Sequence, residues 1–290
     1  GVIMNTRNAL TGITSLKRPP KRLSVVGLLA LTLTLIVALL PGASSSASAP
    51  RGTDDPKPTV VLVHGAFADA SGWAGVEQQL QRRGYSVLAP ANPLRGVASD
   101  SAYIASVLAT ISGPIVLVGH SYGGEVITNA ATGNPNVTAL VYIAAFAPDQ
   151  GETSGTLANM FPGTGLTQAN LVFRPYPLAG GGMGTDGYIN PTVFKQVFCA
   201  DLPNDVAMEM AASQRPAELA TLGQPSGVPA WKTIPSWYLV ANQDRAIPPA
   251  AERFMAHRMG AHTEDIDSSH VAMISHPDTV TELILDAAGN

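Results

Sequence analysis

The sequence predicts an α/β fold in which a doubly wound, mostly parallel sheet carries an inserted cap. Three observations support this prediction. Short apolar runs alternate with amphipathic stretches from Pro58 onward, the alternation stops over about residues 149–234, and it resumes at Trp237. The chain has 290 residues, 46% of them hydrophobic, which is enough to bury a full core. We therefore expect one domain over residues 59–290 with the cap inserted in it.

The first 49 residues are expected to be a secretory signal peptide and its leader, outside the fold. A basic segment over residues 7–22 precedes an apolar run over residues 23–40, and small residues fill positions 43–49. Basic, then apolar, then small is the order that is typical of a signal peptide.

An uncleaved membrane anchor is the alternative for this leader, because the apolar run is near the minimum length of a membrane span. The small residues after the run favour cleavage, after Ala47 or Ala49. We therefore expect a secreted mature protein that begins with a flexible polar lead-in at residues 50–58 and has no stable association with a membrane.

The strands and helices can be assigned in chain order. The predicted strands are short apolar runs, and they cover Thr59–Val63, Tyr85–Ala89, Ile115–Val118, Ala139–Ala145, Trp237–Val240 and His262–Ile266. The predicted helices have apolar residues on one face, and they cover Trp73–Arg83, Asp100–Ile111, Gly123–Ala131, Pro248–Met259 and Thr279–Ala288. Gly84 is expected to end the first helix, and Ser99 or Asp100 to cap the second. Such alternation predicts a sheet covered by helices on both faces, with ligands bound at the carboxyl ends of the strands.

Composition excludes several classes of function. The formal net charge is −4 and only 13% of the residues are charged, so a nucleic-acid partner is not expected. The one cysteine, Cys199, cannot form an internal disulfide, and we expect it to be a packed side chain. No histidine or cysteine spacing typical of a metal site occurs, so the sequence predicts neither a metal nor a cofactor.

One motif carries the chemistry. The segment Gly119-His120-Ser121-Tyr122-Gly123 matches G-x-S-x-G, and it lies between a predicted strand and a predicted helix. That context is required, because the motif makes a sharp strand-to-helix turn that lifts the serine out of the sheet. The serine then lies at a helix N-terminus, where the helix dipole favours developing negative charge. We predict that Ser121 is a nucleophile.

A serine hydroxyl needs a base, and the base needs an acid to orient it. In folds that use this motif, the acid and the histidine follow the serine along the chain. Asp244 comes just after one predicted strand and His270 just after the next, so both are expected at the carboxyl end of the sheet. Asp149, at the start of the cap, is the alternative to Asp244.

The turn after the first strand is predicted to complete the site. His64-Gly65 follows that strand directly, and such a turn places a backbone amide near the serine. The amides of Ala66 and Tyr122 are the expected donors of an oxyanion hole. A plain strand-to-helix turn is the alternative reading of this segment.

Several segments carry a family resemblance that spans most of the mature chain. They are Val61-Leu62-Val63-His64-Gly65-Ala66, Ala91-Asn92-Pro93-Leu94, Val116-Leu117-Val118-Gly119-His120-Ser121-Tyr122-Gly123-Gly124, Tyr142-Ile143-Ala144-Ala145-Phe146-Ala147-Pro148 and Ser269-His270-Val271-Ala272-Met273. With them the chain resembles the small α/β-hydrolases of the plant methyl-ester esterase and hydroxynitrile lyase type, and it looks closest to their bacterial carboxylesterase relatives, which include pyrethroid hydrolases. The resemblance implies a six-stranded core, a mostly helical cap and no cofactor.

Two departures from the lyases favour an esterase. The hydroxynitrile lyases carry a lysine directly after the catalytic histidine and a threonine in the oxyanion turn, where this chain has Val271 and Gly65. Without the charge of that lysine, a leaving cyanide is not stabilised.

The leading hypothesis is therefore a secreted carboxylesterase that acts on small-molecule esters through Ser121, His270 and Asp244. Apolar side chains in and near the cap are candidates for the substrate pocket, and they are Phe67, Trp73, Met160, Phe161 and Phe194. A lactonase, an amidase or a cofactor-free haloperoxidase would use the same three residues. A ligand-binding protein built on the same fold is the alternative from another class. The sequence indicates neither the natural substrate nor the oligomeric state.

Overall fold

The structure is a computed structural model that describes residues 56–289. The predicted signal peptide and leader, residues 1–49, lie outside the described residues, as does most of the predicted lead-in at 50–58. Over the described part of the chain, no helix combines the length and the apolar character needed to cross a bilayer.

A six-stranded sheet forms the centre of the domain, in the strand order β2-β1-β3-β4-β8-β9. All its strand pairs are parallel, which confirms the predicted sheet. Its strands are β1 (Thr59–Val63), β2 (Val87–Leu88), β3 (Ile115–Ser121), β4 (Val137–Ala145), β8 (Ser236–Ala241) and β9 (His262–Ile266). Every residue of β3 is buried, as expected of a central strand that has helices on both faces.

The helices that cover this sheet agree with the sequence pattern to within a few residues. They are α1 (Ala74–Arg82), α2 (Val97–Leu108), α3 (Tyr122–Ala130), α7 (Pro249–Met259), α8 (Ala272–Ser275) and α9 (Pro277–Ala288). The short helix α8 was not predicted.

The prediction that Ser99 or Asp100 caps α2 is wrong. The helix begins at Val97, after Gly96, and Asp100 therefore lies within the first turn. Its buried carboxylate accepts hydrogen bonds from the backbone N–H groups of Arg95 at 3.1 Å and Gly96 at 3.3 Å. The acidic side chain still satisfies N–H groups at the helix start, but it does so from inside the helix.

The segment between β4 and β8 holds three helices and a small second sheet. The helices are α4 (Ser154–Ala158), α5 (Pro191–Phe198) and α6 (Asn204–Ser213), and the strands are β5 (Leu171–Pro177), β6 (Met183–Ile189) and β7 (Ala217–Glu218). The three strands pair antiparallel. The sequence reading missed this sheet because Pro175 and Pro177 lie in β5, and proline cannot donate to a strand ladder.

Candidate active site

Ser121 ends the central strand β3 in a strained backbone conformation. Its φ of 54° and ψ of −125° lie in a region that non-glycine residues rarely adopt. Such strain costs on the order of 1–3 kcal/mol and is typical of functional turns. Helix α3 begins at the next residue, so the serine lies at the predicted strand-to-helix turn and at a helix N-terminus.

The glycines of the motif allow this turn to pack closely. A Cβ on Gly123 would lie 2.4 Å from the carbonyl oxygen of Val63 at the end of β1. A Cβ on Gly119 would lie 2.6 Å from the carbonyl oxygen of Gly123. Backbone atoms cannot move aside as a flexible side chain can, so neither position has room for a side chain.

Gly123→Ala is therefore expected to destabilise the fold. Forcing one extra carbon into a packed site costs roughly 1–3 kcal/mol. For a domain of this size the melting temperature should fall by about 2–10 °C, and ester turnover, where present, should fall with it.

The matched control is Gly223→Ala in the cap, because Gly223 has an ordinary φ and a Cβ there would meet no atom within 4 Å. We expect Gly223→Ala to melt within about 1 °C of the parent chain, since surface changes away from packed features stay within roughly 0.5 kcal/mol. Equal melting temperatures for the Gly123 and Gly223 variants would contradict the packing argument.

His270 and Asp244 form a buried pair at the carboxyl end of the sheet. The imidazole Nδ1 lies 2.5 Å from Asp244 Oδ2, and both side chains are inaccessible to solvent. The other carboxylate oxygen, Oδ1, accepts from the N–H groups of Ala246 at 2.6 Å and Ile247 at 2.9 Å. These contacts fix the carboxylate, and the carboxylate fixes the ring.

The ring orientation leaves His270 Nε2 available as a base. With Nδ1–H donated to Asp244, Nε2 carries the free lone pair, and it is buried without a hydrogen-bond partner among the described residues. Ser121 Oγ makes no hydrogen bond to it over residues 56–289, and in unliganded enzymes this bond is often long until substrate binds. The ring centroid of His120, the residue before the serine, lies 4.6 Å from that of His270, so the end of β3 and the segment of His270 pack together.

The structure brings Asp244, and not Asp149, to the histidine. Asp149 lies at the start of the cap, a third of its side chain is exposed, and it is paired with Lys232 at 2.5 Å. A hydrogen bond from Lys232 lowers the pKa of Asp149. This carboxylate is therefore committed to a surface ion pair.

The neighbouring histidines have structural contacts. His120 Nε2 lies 2.8 Å from the carbonyl oxygen of His270, so it donates to the backbone of that residue. His64 Nε2 accepts from the backbone N–H of Asn92 at 2.9 Å. Burial lowers the pKa of both imidazoles, most strongly that of His120, so both are neutral at pH 7.

The predicted oxyanion donors lie beside the serine. A Cβ on Gly65 would lie 2.6 Å from Ser121 Cβ, which shows how closely the first turn approaches Ser121. Within the described residues, the backbone N–H groups of Ala66 and Tyr122 have no hydrogen-bond partner, whereas Phe67 N donates to Arg215 O at 2.9 Å. Two unpaired amides beside the serine are the arrangement that an oxyanion requires.

Two cap residues that the sequence reading missed hold the histidine in place. The Phe198 ring packs at 62° to the His270 ring, with the centroids 5.0 Å apart. The carboxylate of Asp201 accepts from Ser269 N at 3.1 Å and Ser268 Oγ at 3.2 Å, directly before the histidine. Phe198 follows the predicted Phe194 by one helical turn, and that spacing was the signal available in the sequence.

A cavity of about 280 Å³ lies between the turn after β1 and helix α6 of the cap. Ser121, Asp244 and His270 do not line it, and it is connected to their surroundings through Phe67, whose ring packs on Phe198 with the centroids 6.3 Å apart. Of the predicted pocket residues, Phe67 lines it. Its other walls come from cap and core, and they include Gly72, Val206, Met210, Gln214, Met273 and Ile274. Most of this lining is apolar.

The other predicted pocket residues do not line this cavity. Trp73 is fully buried in the core, and Phe194 is buried against Phe198 at 5.2 Å between ring centroids. Phe161 packs on Phe254 at 6.1 Å, and Met160 is 45% exposed. Trp73, Phe161 and Phe194 therefore pack against other side chains, whereas Met160 lies largely at the surface. In a single sequence, an apolar residue that packs in this way has the same pattern as one that contacts a substrate.

Comparison with known proteins identifies the family of the chain. A model of the alpha/beta hydrolase family matches residues 60–283. The chain is 27% identical over 259 residues to the alpha/beta hydrolase nvfD of Aspergillus novofumigatus, which covers 80% of this chain and 97% of that one. It is 28% identical over 249 residues to a pyrethroid hydrolase of Sphingobium wenxiniae, covering 79% of this chain and 87% of the relative.

A solved structure supports the same fold. The crystal structure of polyneuridine aldehyde esterase superimposes with a TM-score of 0.69 at 20% identity, over 80% of this chain and 99% of that one. At this identity the likeness shows the fold alone. From the family match over residues 60–283, the chain belongs to the alpha/beta hydrolase family.

Proposed function

We propose that the protein is a serine carboxylesterase that cleaves small to medium, apolar, uncharged esters through an acyl-enzyme intermediate. Two observations carry the proposal: Ser121 lies on a strained turn at a helix N-terminus, and Asp244 holds Nδ1 of His270, whose ring packs against His120, the residue before the serine. A nucleophile, a base and an orienting acid in this order are the requirements of acyl transfer.

Each of these groups has one role in the proposed reaction. Ser121 Oγ attacks the ester carbonyl carbon while His270 Nε2 takes the hydroxyl proton, and Asp244 stabilises the imidazolium that forms. The carbonyl oxygen becomes an oxyanion, which the amides of Ala66 and Tyr122 bind. His270 then gives the proton to the leaving alkoxide, and the alcohol departs. Water, activated by the same nitrogen, releases the acid and restores the serine.

The cavity supports a preference for uncharged, apolar esters. Its volume of about 280 Å³ is suited to a chain of moderate length, and the apolar side chains that line it would gain from excluding water. The two ionisable side chains on its wall, Asp69 and Glu209, are both acidic. A substrate that brings a carboxylate into the cavity would be repelled by them.

A panel of esters tests the proposal. The p-nitrophenyl esters of short and medium acyl chains, together with an aryl amide and a lactone, should be assayed on the folded protein and on Ser121→Ala. We expect turnover of the esters with kcat/KM that rises with acyl length until the cavity is filled, and no comparable turnover of the amide. Equal, background rates for the protein and for Ser121→Ala on every ester would overturn the proposal.

A matched pair of substrates tests the charge preference. The monoester of a dicarboxylic acid and a neutral ester of the same length differ only in the remote carboxylate. We expect a kcat/KM about tenfold or more lower for the charged ester at low salt, because like charges at short range cost a few kcal/mol at most and are screened by ions. Equal values at low salt would contradict a role for Asp69 and Glu209.

A further inference from the structure

A second carboxyl group lies behind the acid of the proposed triad. Glu252, on helix α7, is fully buried, although glutamate is rarely found in a protein core without a partner. Its Oε2 accepts from the backbone N–H of Ala241 at 3.0 Å, at the end of β8. Ala241 begins the turn that presents Asp244, because Asp244 N donates to Ala241 O at 3.1 Å. Glu252 therefore supports the turn that carries the acid.

The second oxygen of this carboxyl has no partner that an ionised glutamate could use. Glu252 Oε1 is buried and makes no hydrogen bond to the described residues as an acceptor. The Asp244 carboxylate is near enough to raise the pKa of Glu252, and it is itself an acceptor for His270 and for two backbone N–H groups. Two ionised carboxylates in a buried site repel each other, and a proton held between them removes the conflict.

Among residues 56–289, the charged and titratable groups around Glu252 do not supply an alternative partner. On the sheet side, Asp244 carries negative charge and Tyr238 donates its hydroxyl to the carbonyl of Ala145. On its own helix, the guanidinium of Arg253 is about half exposed and pairs with Asp265. Burial, and next the charge of Asp244, raise the pKa of Glu252 well above its ordinary value.

We infer that Glu252 is protonated in the folded protein and donates a hydrogen bond from its Oε1 to the carboxylate of Asp244, as a positioning residue for the triad acid. The effect of this hydrogen bond on catalysis rests on the proposed function, whereas its geometry does not. A donor to Asp244 fixes the carboxylate and withdraws part of its negative charge. His270 is then a weaker base than it would be beside an unassisted aspartate.

Infrared spectroscopy tests the protonation state without any substrate. At pH 7 the full chain should show carbonyl bands of protonated carboxyl groups, and Glu252→Gln should lack one of them. The matched control is Glu125→Gln, because burial raises the pKa of Glu125 to about 8 at a site on α3 where its side-chain partner is Ser154. This control should remove a different band. Retention of every such band in Glu252→Gln would overturn the inference, whether or not the protein hydrolyses esters.

The pH profile of kcat/KM tests the positioning role, since its acidic limb reports the base of the free enzyme. Glutamine can accept from Ala241 N and donate to Asp244, so Glu252→Gln should leave the acidic limb in place. Glu252→Leu removes the donor, so the acidic limb should shift to higher pH by roughly one unit. This shift corresponds to the free energy of about one hydrogen bond.

Two outcomes of the profile would contradict the inference. A downward shift in Glu252→Gln would mean that the substitution removed a negative charge, so that Glu252 was ionised. An unmoved limb in a folded Glu252→Leu would leave the residue with a structural role alone. Failure of the parent chain to hydrolyse any ester would count against the proposed function, and the infrared result would still decide the protonation state.

Discussion

Ser121→Ala is expected to lower kcat for an activated ester by about 10⁴-fold or more, because nucleophile, base and acid act as a unit. The alanine lacks the oxygen that forms the acyl bond. The residual rate would come from the oxyanion amides and from binding, which act on water as the nucleophile. Stopped-flow or steady-state assays on one p-nitrophenyl ester measure the loss.

The fold should survive this change, because Ser121 Oγ makes no hydrogen bond within the described residues and alanine accepts the same packing. Circular dichroism and the melting temperature check this. Ser106→Ala, on the exposed face of α2, is the matched control and should retain the parent rate. A folded Ser121→Ala protein with near-parent kcat would remove Ser121 from the mechanism.

Asp244→Asn is the second change with a large expected effect. The amide group would present N–H to the histidine, which then turns its unprotonated nitrogen toward the asparagine and leaves Nε2 protonated. A protonated Nε2 cannot accept the serine proton, and in serine proteases the same substitution of the orienting aspartate lowers kcat by roughly 10⁴. The asparagine also lacks the charge that stabilises the imidazolium.

Asp149→Asn is the control for that experiment. A third of the Asp149 side chain is exposed where it pairs with Lys232. Such surface ion pairs contribute about 0–1 kcal/mol to the stability of the fold. We expect little change in kcat and a small change in stability. A steep loss in Asp149→Asn with a mild loss in Asp244→Asn would assign the acid to the cap entrance.

The features of the fold and of the site that the sequence could predict depend on short-range patterns. Strand β3 and its turn are recognisable because a buried parallel strand is a continuous apolar run and the turn needs glycines at fixed offsets. Asp244 and His270 follow strands of one parallel sheet, so their meeting at its carboxyl edge is a consequence of topology.

The parts that the sequence did not predict depend on contacts between distant segments. Phe198 and Asp201 act on His270 from about 70 positions away, and no local pattern indicates where the cap returns to the core. Glu252 is preceded and followed by helical residues, and a glutamate in such a segment is typical of a solvent-exposed face. Its burial follows from the packing of α7 against β8, a tertiary contact that forms only when the chain folds.

The central claim is that Ser121 forms a covalent acyl-enzyme, and acid quenching during turnover of a p-nitrophenyl ester tests it most directly. Mass spectrometry of the quenched and digested protein should find the acyl group on the peptide that contains Ser121. The Ser121→Ala protein should carry none. Turnover with no acylated peptide, or acylation at another residue such as Cys199, would contradict the account.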